Sequence, residues 1–566
     1  MRISRFNSFL LVLIASLAAS SQQTAAPTRV PVIENAGLGA ASPTSFNDIL
    51  DRVVQREHFF VAQMRHLHPM VETYIQNLKT DRTEIDVPVS DRYFLGRLDM
   101  SEGPEDTSFI GQPGFGRRMV DRLTSVYSMR FLPLGFAQMV LLDTDFQKKN
   151  YDFTFVRREF LGEVRCLVID VQPRKDASGG RFIGRIWVED QDYNIVRFNG
   201  TYQSKPGSNF YLHFDSWRLN MRPDAWLPAY IFSEETDMKY GLGRTLHFRA
   251  QTRLWGYDLK GLNKNSEFTQ IMVDSPEAVK DESESAADAG PIAAERMWER
   301  QAEDNAIDRM EKIGLMAPPG EVDKVLQTVV NNLLITNNID LQDVRCRVLL
   351  TSPLESFTIG HTIVVSRGLL DVLPDEASLA TVLAHELGHI VLGHKLDTRL
   401  AFNDRMFFPD EESFQRLDFK RSTTDEEAAD AKALELLKNS PYKDKLGSAG
   451  LFLKALQERA PELPNLIRPH LGNALAEGKS IRMSTLLASA PQLDSQRTDQ
   501  IAALPLGGRI KLDPWTDQVE LSKAKPLALT SPREKMPFEL TPFFPYLTRI
   551  STPGNEKVAA SELGRK

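Results

Sequence analysis

One helix restricts what this chain can become. Residues 379–392 read Leu-Ala-Thr-Val-Leu-Ala-His-Glu-Leu-Gly-His-Ile-Val-Leu, apolar on nearly every side but interrupted by His385, Glu386 and His389. At about 100° per residue, His385 and His389 project from one face within one turn. Burying two imidazoles and a carboxylate in an apolar helix is costly unless something satisfies them. A metal does so; a surface salt-bridge network cannot. Two imidazoles so spaced can bind one Zn²⁺, and Glu386 between them lies close enough to serve as a base. The pattern predicts a helix at about 375–396 and one zinc per chain.

Such a zinc needs a third protein ligand and an open position for water. A histidine six residues after the second is one route, but position 395 is Lys. His394 lies about 180° around the helix from His385 and is read as not a ligand. The other route is a carboxylate on a later helix, and Asp425–Leu437 supplies it. Glu426 and Asp430 are four apart and share a face. Small Ala429 and Ala433 let that helix pack closely on the first. Glu426 is expected to ligate the metal, with Glu427 as the alternative if the helix phase differs by one. Asp430 is expected behind it, hydrogen-bonding a ligand histidine and fixing its tautomer. An acidic first helical turn, favourable for the helix dipole, is the plainer reading of these carboxylates.

Composition narrows the rest. At roughly 100–200 residues per domain, 566 residues imply several domains. Two cysteines exclude a disulfide scaffold, a cysteine-rich zinc module and most iron–sulfur sites. Cys166 and Cys346 could pair in an oxidising compartment; two buried free thiols is the simpler expectation. A net charge of −8 argues against nucleic acid as a partner.

Along the chain the texture changes several times. Arg2 and Arg5 precede an apolar run from Phe9 to Ala19, too short to span a bilayer and right for a signal peptide over 1–21. The chain is therefore expected to be exported, periplasmic or secreted, and soluble after cleavage. A flexible leader follows at 22–46. Residues 47–80 carry a helical pattern through Ile49, Val53, Phe60, Met64 and Leu67. From about Val87 to Leu259, seven or more alternating runs separated by Gly, Pro, Asn and Asp clusters read as sequential strands. Sequential strands without intervening helices argue an antiparallel sheet or open barrel, so 47–270 is read as a helix plus a β-rich domain. Residues 275–291, rich in Glu, Asp, Ser and Ala, read as a linker. Helices resume over 292–495, at about 292–313, 321–334, 375–396, 425–438, 445–460 and 479–488, with strands at 344–350 and 362–365. The tail at 496–566, rich in Pro and aromatics, is expected to wrap over one of the two domains. The fold class is α+β and multidomain.

The motifs His385-Glu386-Leu387-Gly388-His389 and Glu426-Glu427-Ala428-Ala429-Asp430, with Arg367-Gly368-Leu369-Leu370-Asp371 ahead of them, resemble the gluzincin family that includes the CAAX prenyl protease and the heat-shock membrane protease HtpX. The resemblance covers about 321–487 and implies a mainly helical zincin domain with a small sheet. It implies a zinc endopeptidase in which His385, His389 and Glu426 hold the metal and Glu386 is the catalytic base. An extended peptide would lie against the strand Thr362, Ile363, Val364, Val365, adding a strand through its main chain. Arg468-Pro469-His470 with Arg482 is a loose counterpart of the family's His-Pro element. That makes His470 a candidate transition-state or plug residue; a surface histidine is the alternative. Glu355-Ser356-Phe357 and Gly360-His361 depart from the family's Asn-Ala-Phe and Gly-Gly, and the membrane spans of several members are lacking.

The β-rich region resembles the half-barrel of bacterial lipoprotein carriers in strand order and texture. Two readings follow. One is an endopeptidase for unfolded or misassembled envelope polypeptides, its β domain recruiting outer-membrane protein or lipoprotein clients. The other is a periplasmic lipid-, lipoprotein- or protein-binding factor with a latent or structural zinc domain.

Overall fold

Five positions on one helix, Leu50, Val53, Glu57, Phe60 and Met64, recur at spacings of three and four and are buried together. They belong to α1 (Phe46–Met64), the first element of a computed structural model of the chain. The structure describes most of residues 45–100, 139–259, 291–395, 417–477 and 538–550, with shorter stretches at 105–108, 480–481, 510–513 and 518–521. The signal peptide at 1–21, the leader at 22–44 and the linker at 275–290 lie outside the described residues. The chain divides into two units, Met1–Ile49 and Leu50–Lys566.

The helical pattern read through residue 80 stops at Met64. His68 adopts a φ of 31° ahead of Pro69, and Met70–Thr80 is a strand, β1. Its first seven residues are buried without interruption. A strand covered on both faces loses its alternation and cannot be told from a helix by periodicity. Then follow β2 (Asp86–Asp99), β3 (Glu105–Ser108), β4 (Tyr151–Leu161), β5 (Val164–Pro173), β6 (Phe182–Glu189), β7 (Ile195–Tyr202), β8 (Phe214–Arg222), β9 (Ala225–Tyr240) and β10 (Arg244–Trp255). They form an open ten-stranded sheet in the order β3-β2-β1-β10-β9-β8-β7-β6-β5-β4, antiparallel throughout. The seven strands expected from texture are β4 to β10.

Residues 50–64 of α1 cover one face of the sheet through a buried ion pair. Both terminal nitrogens of Arg218 reach Glu57 at 2.7 Å, and the guanidinium lies 3.6 Å from the Phe60 ring centroid. Residues 538–550 are tied to the sheet at several points. Arg197, paired with Asp215, lies between Trp187, Trp217 and Phe544. Gln76 bonds the Phe538 carbonyl and the Leu540 amide, and Glu163 donates to the Leu547 carbonyl. Phe538 also meets Phe452 in the helical region. The tail thus packs on both regions where one was expected.

The helical region follows its expected outline: α2 (Pro291–Ile313), α3 (Glu321–Thr336), β11 (Arg345–Leu349), β12 (Ser356–Ile359), β13 (Thr362–Ser366), α4 (Arg367–Val372), α5 (Glu376–Leu392), α6 (Thr423–Lys438), α7 (Leu446–Arg459) and α8 (Pro464–Ile467). Within the expected helix at 479–488, Ser480–Ile481 pairs as a short strand with Ala476–Glu477; residues 482–488 lie outside the described residues. Two hydrophobic cores join the regions: Tyr74 of β1 belongs to the core around α5, and Met70 and Leu95 pack with α2 and β12. Glu72 on β1 accepts from the Ser352 amide at 2.6 Å, the Ser352 hydroxyl at 2.8 Å and the Tyr93 hydroxyl at 2.7 Å. Cys166 and Cys346 are both free and buried, and burial pushes each thiol up to about 12. Among the described residues no helix is long and apolar enough to cross a membrane.

Candidate metal centre

The Asp375 side chain caps the start of α5 by accepting the Ser378 amide at 2.8 Å. Ser422 caps α6 in the same way. The two helices cross at Gly388, where a β-carbon would stand 2.9 Å from the Ala429 carbonyl oxygen. That close approach explains the small residues on both sides. It brings Glu426 and Asp430 of α6 up to the two histidines of α5.

Nε2 of His385 lies 3.1 Å from Nε2 of His389. Glu426 reaches them through separate oxygens, Oε2 at 3.3 Å from His385 Nε2 and Oε1 at 3.4 Å from His389 Nε2. Tetrahedral Zn–N and Zn–O bonds of about 2.0–2.1 Å place neighbouring ligand atoms roughly 3.3–3.4 Å apart. The two nitrogens and the Glu426 carboxylate, which turns one oxygen toward each ring, therefore stand close enough to share one small ion. The donor set, two imidazoles and a carboxylate, also matches zinc, and these three residues are the candidate metal group among the described residues. His385 and His389 are each 1% exposed. Burial is the largest influence on His389 and lowers its pKa, with Glu426 and Glu386 opposing. The ring is kept in the neutral form that ligation requires.

Asp430 Oδ1 sits 2.7 Å from His385 Nδ1. Glu427, the alternative ligand, is not in the group. Glu386 is buried beside the histidines, and its oxygens face β12: Ser356 donates to Oε1 and Thr358 to Oε2, each at 2.7 Å. Alternation along β12 puts both hydroxyls on the side facing α5.

One expectation needs correction. The strand Thr362–Val365 is the middle of the three-stranded sheet β11-β13-β12. It pairs in parallel with β11 and antiparallel with β12, so its ladder positions are taken and no peptide can add there. The outer strand beside Glu386 is β12, too short and too completely buried to show in the sequence. His470, the candidate transition-state or plug residue, is half-buried, where the alternative was a surface histidine. Its ring stacks on Tyr93, its amide donates to Glu355 at 2.9 Å, and burial holds its pKa at about 4.

Sequence reasoning missed Thr358 and Arg421 and gave Ser356 no role; His394, read as not a ligand, is outside the metal group but beside it. Arg421 ties the free side of β12 to the end of α5, donating to the Thr358 carbonyl at 3.1 Å and the His394 carbonyl at 2.7 Å. Burial lowers its pKa against the pull of Glu386 and Glu426. Phe419 stacks on Phe357 of β12 with ring centroids 4.9 Å apart. His394 Nδ1 lies 2.8 Å from His389 Nδ1.

Residues 321–408 match the model of Peptidase family M48, and this part of the chain resembles that family. A relative, "Metalloprotease LoiP" of Escherichia coli strain K12, is 33% identical over 93 residues, 16% of this chain. The chain spans 36% of the length of that relative. Solved structures similar in part include a DUF1329 family protein from Desulfovibrio piger, with 10% identity and a TM-score of 0.20 over 39% of this chain and 95% of that one. A LolA superfamily protein from Nitrosomonas europaea gives 9% identity and a TM-score of 0.18 over 38% and 93%. Likenesses this slight add nothing to the strand order described above.

Proposed function

We propose that the protein is a zinc-dependent endopeptidase. The observation that supports this best is the trio of separations among His385 Nε2, His389 Nε2 and the Glu426 oxygens, 3.1, 3.3 and 3.4 Å, on buried residues. Zinc bound there would supply an acidified water and a polarised scissile carbonyl. Glu386 is the base: its carboxylate removes the proton as the water oxygen attacks the carbonyl carbon. It returns that proton to the amide nitrogen, so the C–N bond breaks and a neutral amine leaves. Ser356 and Thr358 hold the carboxylate in place between these two transfers. Asp430 fixes His385 with Nδ1 protonated and Nε2 free to ligate.

A peptide would reach the site along β12, by main-chain pairing tolerant of side-chain sequence. Arg421 and Phe419 lie on that route and would have to yield to it. Tolerance of this kind suits unfolded or misassembled polypeptides of the cell envelope, the client class we assign, with the large sheet as their recruiting surface. Export through the sequence at 1–21 completes the reading. The alternative, a lipid- or protein-binding factor with a latent zinc domain, leaves the Glu386 arrangement without a purpose.

The test is metal content with proteolysis of an unfolded protein, with and without chelator, on wild type and Glu386→Gln. One zinc per chain in both, with cleavage in wild type alone, is expected. Equal turnover by the two would reject the peptidase. Capture of envelope proteins by Glu386→Gln tests the clients, and an empty catch counts against them.

A further inference from the structure

Helix α5 ends in a turn with a specific geometry. Gly393 takes a left-handed φ of 67°, with nothing within 4 Å of where a β-carbon would be. Glycine is favoured here by conformation and not by space. The Gly393 amide donates to the Ile390 carbonyl and the His394 amide to the His389 carbonyl, each at 3.0 Å. This is the paired 5→2 and 6→1 closure of a Schellman turn. A straight helix would carry His394 to the far side; the turn folds it back beside His389. There Nδ1 of one ring faces Nδ1 of the other at 2.8 Å, with ring centroids 5.1 Å apart. Arg421 holds the other side of the turn through the His394 carbonyl.

Two nitrogens at that distance share one proton. If His389 ligates through Nε2, its neutral ring must carry the proton on Nδ1. His389 Nδ1 is then the donor and His394 Nδ1 the acceptor. The His394 proton must then sit on Nε2, which faces Asp425 Oδ1 at 3.8 Å. We propose that His394 is a positioning residue for the metal centre, setting the tautomer and ring angle of His389 as Asp430 does for His385. Each ligand histidine would then have its own fixed partner, one from α6 and one from the turn closing α5.

This rests on the metal reading above, and zinc affinity separates the two. Competition with a chromophoric chelator measures the Zn²⁺ dissociation constant of wild type, His394→Phe and His394→Gln. Loss of a partner behind a metal-bound histidine weakens binding by about 10–100-fold. His394→Phe is expected to show that loss. His394→Gln, whose side-chain carbonyl can accept from His389 Nδ1, is expected to recover most of it. A folded His394→Phe with wild-type affinity overturns the proposal alone. Failure of the wild type to bind zinc overturns the metal reading with it. The ¹⁵N shifts of the wild-type zinc protein decide the matter without a variant: His394 protonated on Nε2 supports the assignment, and protonation on Nδ1 overturns it.

Discussion

The Ser356 hydroxyl lies 2.7 Å from Oε1 of Glu386, so the carboxylate between the two histidines is held by a strand and not by its own helix. With Thr358 on the other oxygen, the carboxylate cannot rotate without breaking a hydrogen bond. Hydrogen bonds to a charged group are worth about 1.5–3 kcal/mol. Ser356→Ala with Thr358→Val is expected to lower kcat about tenfold or more, with KM little changed and zinc retained, because the loss falls on the transition state. Steady-state kinetics on one peptide checks it; a change confined to KM would assign the hydroxyls to substrate binding.

Asp430→Asn removes the charge behind His385 while keeping its size. Zinc affinity should fall about 10–100-fold, read by competition titration, with the unfolding transition of the metal-free protein little moved. Unchanged affinity would leave Asp430 with a packing role.

Gly388→Val places side-chain atoms where the Ala429 carbonyl stands, 2.9 Å from the new β-carbon. Overpacking costs about 1–3 kcal/mol, more than the gain from removing a helical glycine, under about 1 kcal/mol. The variant should unfold at lower denaturant and bind zinc less well, since the α5–α6 spacing sets the Glu426 distances. An unchanged midpoint would mean the helices have room to part.

Glu355 gives a pH dependence. Burial pushes its carboxyl up to about 7 from an ordinary 4.5, although the His470 and Leu471 amides pull the other way. The folded state therefore binds this proton more tightly than the unfolded chain. The stabilising contribution of the protonated form is full below about 4.5 and is lost as pH rises through about 7. Glu355→Gln should show a shallower decline in Tm between these values than wild type. Parallel curves for the two proteins would show that Glu355 does not titrate there.

The sequence made His385, Glu386, His389, Glu426 and Asp430 legible because they sit at helical spacings on two long helices, where periodicity fixes the face. What it hid was set by chain reversals. His394 was projected along a helix that Gly393 ends; that glycine, at the end of the apolar run, was the available signal. Ser356 and Thr358 sit on a four-residue strand buried throughout, with no alternation to reveal it. Thr362–Val365 was recognised as a strand, but its place between two partners depends on β12 and could not be read without it. β1 merged with the preceding helix because both of its faces are covered, by the helical region among others.

The tail has a consequence for how the molecule comes into being. Gln76, on the first strand, finds its partner at Phe538, a sequence separation of 462 residues, and Phe538 lies in the same core as α5. Chains fold from the amino end as they emerge, and contacts this distant in sequence close last. The Gln76 amide therefore meets Phe538 and Leu540 only once residues near 540 have been made. The residues of the candidate metal group, His385, His389 and Glu426, are thus made before the contact that ties the first strand to the tail can close.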